Sequence, residues 1–182
     1  MIEKLWNYFI LHYKGCKTGD HLIIHGKLFI HGRKKGIEIG NNCVITSNEM
    51  YNPTAGGNHT HLSVGEKGVL LIGNNVGISQ SQISAYEKVE IEDNVLIGAN
   101  CKIWDTDFHP VEYKKRQINE EAITKPVLIK EGAFIGACSI ILKGTIVGSH
   151  SVIGAGSVVA TSIPDNEIWA GNPAKFIRRV EE

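Results

Sequence analysis

The sequence predicts an all-β solenoid, a parallel coil of short strands with a triangular cross-section, and three observations predict it. First, aliphatic residues recur every six positions: Ile129, Ile135, Ile141, Val147, Ile153 and Val159 keep step without a slip, a regularity that marks a structural repeat. Second, the segments opening at Ile39, Ile72, Ile91, Ile129 and Val147 read alike. Each starts on an aliphatic, passes through polar residues rich in Gly and Asn, and reaches a small residue four places on: Cys43, Val76, Val95, Ala133 and Ser151. Third, like units lie 19 residues apart between Ile72 and Ile91, and 18 apart between Ile129 and Val147.

A period of six is neither the 3.6 of a helix nor the two of an uninterrupted strand. A strand broken by one corner per unit produces it, and three units then close one coil. The opening aliphatic and the small residue face inward, while Gly and Asn turn the corners because they tolerate positive φ. Coils about 4.8 Å apart hydrogen-bond as parallel strands and stack like side chains in columns, so stability comes from neighbour contacts and both ends need covering.

The elements follow in order. Residues 1–20 form an N-terminal capping segment. Within it Leu5, Trp6, Phe9, Ile10 and Tyr13 have helical spacing, which predicts a short amphipathic helix over 2–14 lying on the first coil. An interfacial membrane anchor is the alternative use of such a helix. Residues 21–163 form the prism, interrupted near 46–68 and 105–126 by polar stretches that leave it as loops, where function is commonly carried. Residues 164–182 form a tail with a short helix.

Composition narrows the partners. At 182 residues the chain suits one domain. Nineteen basic residues balance nineteen acidic ones, so no net field draws nucleic acid, and membrane association is not expected. The four cysteines, Cys16, Cys43, Cys101 and Cys138, show neither CxxC nor zinc-type spacing with the eight histidines, which predicts no disulfide framework and no metal. The N-terminus lacks the order of a signal peptide, and no apolar run approaches the roughly 20 residues that span a bilayer. A soluble protein of the reducing cytoplasm is expected.

Beyond the repeats, two stretches are specific: Asp105-Thr-Asp-Phe-His-Pro110 at the head of the second loop, and Ala170-Gly-Asn-Pro-Ala-Lys175 after the last coil. On these, and over roughly residues 37–180, the chain resembles the hexapeptide-repeat acyltransferases, in particular the maltose and galactoside O-acetyltransferase branch and its surface-polysaccharide relatives. The resemblance implies a left-handed parallel β-helix, a homotrimer with active sites between subunits, and acetyl-coenzyme A as co-substrate. It makes His109 the general base, taking the proton of an acceptor hydroxyl as the oxygen attacks the thioester carbonyl, a role that suits imidazole. Asp105 or Asp107 would orient the ring, or would instead cap amides of the loop. Ala137, Ala155 and Ala160 would let the pantetheine arm approach, with Thr161, Lys175 and Arg178 toward the nucleotide end. Thr161 stands where a lysine often holds phosphate in the sugar branch, a departure from that branch that removes one favourable contact with the cofactor.

The acceptor side departs from the galactoside and maltose enzymes. Their sugar-binding asparagine falls near Gly77 or Ser79, where no amide stands, and the stretch from Asn52 is like that of relatives that modify surface glycans. The expected acceptor is therefore a sugar or glycan precursor, touched by Asn52, Ser79 and Asp107, with His59 and His61 as further loop candidates. Trp104 would stack on sugar or cofactor, or else pack at a strand end. Cys43 and Cys101 read as inward packing residues and Cys138 as a corner residue. Serine and antibiotic-inactivating acetyltransferases share the expected fold. A zinc hydratase would need His59, His61 and His109 to converge, and a non-catalytic solenoid would need a flat column of identical exposed residues.

Overall fold

Each inward position marked by the six-residue spacing is buried, from Ile129 at 0% exposure through Ile135, Ile141, Val147 and Ile153 to Val159, also at 0%. The small residues Cys43, Val76, Val95, Ala133 and Ser151 are buried beside them. The computed structural model describes residues 2–118 and 120–181. Six strands stack on the first face of the prism, eight on the second and six on the third. Like units lie in register: Ile39 pairs with Ile72, Ile72 with Ile91, Ile91 with Ile129 and Ile129 with Val147, all in parallel.

The corners take the left-handed backbone that their residues allow. Asn42, Asn75 and Asn94 have φ of 56°, 56° and 61° where the first face turns into the second. Where the second turns into the third, Asn100, Cys138 and Gly156 do the same at 58°, 63° and 73°. An amide ladder joins successive corners: Asn74 Oδ1 accepts from Asn41 N at 2.8 Å, and Asp93 Oδ1 from Asn74 N at 2.7 Å. The bonds from the Asn74 backbone, and then from its side chain, hold the Asp93 carboxyl below the usual carboxylate range.

Helix α1 (Ile2–Lys14) covers the first coil as expected, though with a different set of side chains. Trp6, Asn7 and Ile10 face the prism; Trp6 Nε1 donates to Leu28 O at 2.8 Å, and Asn7 bonds both Gly26 O and Leu28 N. Leu5, Phe9 and Tyr13 are exposed. An amide that satisfies two backbone groups of the first coil outranks apolar contact there, because those groups would otherwise be buried unpaired.

Two further expectations need correction. The first loop is narrower than 46–68, because Val44–Ser47 and His61–Val64 are strands and only residues 48–60 leave the prism. Ile45, Ser47, Leu62 and Val64 alternate inward there, so both strands run past the six-residue unit to four residues each before and after the loop. The tail is a β-hairpin rather than a helix: Glu167–Gly171 adds in parallel to Val152–Ile153, and Ala174–Arg179 returns antiparallel. Open backbone groups on the last coil accept the added strand, and Trp169 meets Phe176 edge-on at 6.3 Å across the hairpin.

Candidate active site

The second excursion starts from the third face, after the strand Lys102–Trp104. Its root is fixed by Asp105, which is fully buried and accepts hydrogen bonds from three consecutive amides, Tyr86 N, Glu87 N and Lys88 N, each at 2.7 Å. Asp105 therefore caps a neighbouring corner and does not orient His109. Thr106 pairs with Thr124 as an antiparallel bridge, and Asp107 N donates to Ile123 O, so the stem is a short ribbon. The Asp107 carboxylate pairs with Lys143 Nζ at 2.8 Å, tying the stem to the next coil.

Above the stem the chain turns through Phe108, at φ 60°. The Phe108 ring meets Tyr86 and Trp104 edge-on at 5.6 and 5.7 Å, which gives Trp104 a definite task in holding the loop. His109 follows at the surface; its backbone N–H donates to Asp107 O at 2.7 Å, and its ring has no hydrogen-bond partner among the described residues. A short helix, α2 (Tyr113–Gln117), completes the excursion. Beside the stem opens a hollow of about 530 Å³ lined by Glu66, Lys67, Tyr86, Thr106, Phe108 and Glu121.

The opposite edge of the third face carries a column of small residues. Ala99, Ala137 and Ala155 stand on successive coils, linked by Cys138 N to Ala99 O and Gly156 N to Ala137 O, both 2.8 Å. Coil spacing here leaves no room for a side chain beside them, since a Cβ at Gly98 or Gly136 would lie 2.7 or 2.6 Å from the Ala137 or Ala155 nitrogen. The tail hairpin ends this column: Gly154 N bonds Trp169 O, Gly171 N bonds Ser157 Oγ, and Lys175 pairs with Ala170. Ala137, Ala155 and Lys175 are thus brought to one edge, while Ala160 and Thr161 follow the strand Val158–Val159 at the edge from which the loop rises. Arg178 is exposed on the outer hairpin strand, opposite Ile168 and within 3.6 Å of Glu181.

The remaining candidates lie apart. Ser79 faces outward on the second face beside Thr46, at a hollow of about 350 Å³ shared with Gly77, Gly98 and Phe134. Asn52 caps a 3-10 turn in the first loop, its Oδ1 accepting from Thr54 N. His59 Nδ1 lies 2.7 Å from Ser47 O. His61 stacks on Phe29 and His31, with His31 Nε2 3.1 Å from its Nδ1; burial first, then the neighbouring His31 and His59, lower its pKa. His59, His61 and His109 do not converge, and no group of three metal-binding side chains occurs among the described residues. A hollow of about 680 Å³ on the first face holds none of the predicted site residues. All four cysteines are free, and burial pushes Cys101 up to about 11.

One polar group escapes the sequence reading. Gln80, one residue past Ser79, is buried with neither amide atom hydrogen-bonded among the described residues. It occupies a corner at φ 40°, and the first loop returns close by, where Asn58 Nδ2 bonds Asn100 Oδ1 of the corner beyond. Nothing in the six-residue pattern separates Gln80 from other corner residues.

The three-faced coil of six-residue units places the protein in the class of left-handed parallel β-helices. Within it, the description "Bacterial transferase hexapeptide (six repeats)" matches residues 126–161, and "Hexapeptide repeat of succinyl-transferase" matches 88–103. A galactoside O-acetyltransferase of Lactococcus lactis is 32% identical over 150 residues, covering 82% of this chain and 66% of that one. A solved galactoside acetyltransferase in complex with coenzyme A is 26% identical with a TM-score of 0.61, over 91% of this chain and 65% of that one. The N-acyltransferase AntD from Bacillus cereus, solved with dTDP and coenzyme A, shares the fold at a TM-score of 0.73 and 24% identity, over 91% of this chain and 84% of that one. The chain spans about half the length of the first curated relatives it matches. It belongs to the hexapeptide-repeat acetyltransferase family.

Proposed function

We propose that the protein transfers an acetyl group from acetyl-coenzyme A to a hydroxyl of a sugar or glycan precursor, with His109 as general base. The observation that carries this reading is the placement of an exposed imidazole without a hydrogen-bonding partner among the described residues, on a loop stem held by a buried carboxylate. A lone surface histidine needs no such support. The alanine column across the same face suits a thin pantetheine arm, which bonds to backbone groups and needs close approach; Lys175 is the cation at its end. Glu66, Glu121 and the aromatic rings of the hollow beside the stem suit a hydroxyl-rich acceptor.

In the reaction the acceptor O–H donates to a neutral His109 nitrogen while its oxygen bonds to the thioester carbon. The tetrahedral oxyanion is held by an N–H donor. When the C–S bond breaks, the imidazolium returns its proton to the sulfur, so the base leaves the cycle unchanged. Asp107 and Phe108 set the height and direction of the ring through the stem.

A homotrimer is part of the same reading. On the second face Ile23, Val44, Leu96 and Phe134 form an outward apolar column, exposed by 38–54%. Such a side surface invites a neighbouring prism, and an exposed His109 is then completed by that neighbour. The test is thiol release from acetyl-coenzyme A across free sugars, nucleotide sugars, serine, amino sugars and chloramphenicol-like alcohols, with molar mass by light scattering. Acceptor-dependent release with a sugar hydroxyl by a trimer is expected. Release only with amines or serine overturns the sugar assignment.

A further inference from the structure

Helix α1 has two apolar sides, and capping uses only one. Opposite Trp6, Asn7 and Ile10 lie Ile2, Leu5, Tyr8, Phe9 and Tyr13, exposed by 52–77%. Ile2, Leu5, Phe9 and Tyr13 follow one stripe, and the Phe9 and Tyr13 rings stack at 5.7 Å. A helix on a soluble surface turns polar residues outward; here five large apolar or aromatic side chains share the outward side with Lys4 and His12.

Around this stripe the charge is one-sided. Residues 1–35 hold seven lysines and arginines against two acids, Glu3 and Asp20, in a neutral chain, and of the seven only Lys17 is paired with a carboxylate among the described residues, that of Glu38. The turn Arg33–Lys35 sits against the C-terminal end of the helix: Lys35 N bonds Lys14 O, Lys14 Nζ bonds Gly32 O, and Lys34 Nζ stands 4.2 Å over the Tyr13 ring. The capped end is therefore both basic and greasy, with tyrosines at the border between the two, which is the make-up of an interfacial helix.

We propose that this end of the prism docks on an anionic lipid bilayer, with α1 lying in the plane of the surface. Leu5 and Phe9 enter the acyl boundary while Lys34 and Lys35 meet lipid phosphates. A second copy is the poorer occupant, because joining two such ends sets like charge against like. Lateral association through the second face leaves the ends free, so subunits with parallel axes present their helices to one plane and bind with added avidity. Docking itself is independent of the acetyl-transfer reading, since it is read without turnover; only the added avidity rests on the lateral association that belongs to that reading.

The test is co-sedimentation of the full chain with vesicles of equimolar phosphatidylcholine and phosphatidylglycerol, against pure phosphatidylcholine. Expected is sedimentation with the anionic vesicles only, reversed by salt. Leu5→Ser/Phe9→Ser and, separately, Lys34→Glu/Lys35→Glu should each weaken partitioning about tenfold or more, with melting temperature and molar mass unchanged. Absence of sedimentation, equal sedimentation with neutral vesicles, or indifference to both variants overturns the proposal. A fall in molar mass in the Leu5→Ser/Phe9→Ser variant also overturns it, by assigning the stripe to a contact between copies.

Discussion

The two excursions from the prism are both polar breaks in the six-residue period, and they are opposite in how they use their polar side chains. In the first loop the polar side chains are engaged within the fold: Asn48 Oδ1 accepts from Met50 N, Asn52 Oδ1 from Thr54 N, and Asn58 Nδ2 donates to Ala55 O and to Asn100 Oδ1. Thr60 is buried, its N–H bonded to Ser47 Oγ and its hydroxyl to Thr46 O. The second excursion spends Asp105 and Thr106 on its stem and then carries His109 outward with its ring unengaged. A polar loop is thus not a site by virtue of its polarity. What distinguishes the second is a rigid root beneath a side chain with bonding capacity left over.

His109→Ala gives the largest expected effect. Turnover should fall about 10²-fold to 10⁴-fold, with melting temperature unchanged because the ring holds nothing in place; initial rates and calorimetry on one preparation decide it, and unaltered turnover removes His109 from the mechanism. Asp105→Ala attacks the root instead. Three consecutive part-buried amides lose the side-chain acceptor they share, so denaturant unfolding should show a loss of about 3 kcal/mol, and turnover should fall with the stem although Asp105 touches no reacting group. If Asp105→Ala left stability intact, the distinction between root and tip would fail. Ser47→Ala is the smallest: it removes the hydroxyl that bonds Lys27 O and Thr60 N. It should cost about 1–2 kcal/mol with acetyl transfer unaltered, sharpening the view that the first loop serves the fold.

Much of the prism was legible in the sequence because one inward aliphatic per six residues is a strict demand of the coil. Register, corners and the inward place of Cys43 and Cys101 follow from that demand. It does not say where a strand ends once the six-residue step is lost in a polar insertion, and so the ends of the strands Val44–Ser47 and His61–Val64 were hidden. The tail reads as a helix until Gly171, at φ 103°, is seen to turn a hairpin. At the site, the Asp-Phe-His-Pro stretch points to His109, whereas the task of Asp105 depends on amides 17 to 19 residues away. The orphaned amide of Gln80 depends on tertiary burial, which no local spacing encodes.

Regular coils also make the prism a gauge. On the third face two strands, Ile140–Ile141 and Val158–Val159, stack beyond the one that bears the histidine loop. At about 4.8 Å per step they set that loop roughly 10 Å from the final strand. Distance along the molecule is therefore counted in whole turns: gaining or losing one eighteen-residue unit would preserve the architecture while sliding the imidazole a full notch relative to Lys175. Such a protein tolerates drift in side chains more readily than a change in the number of its turns.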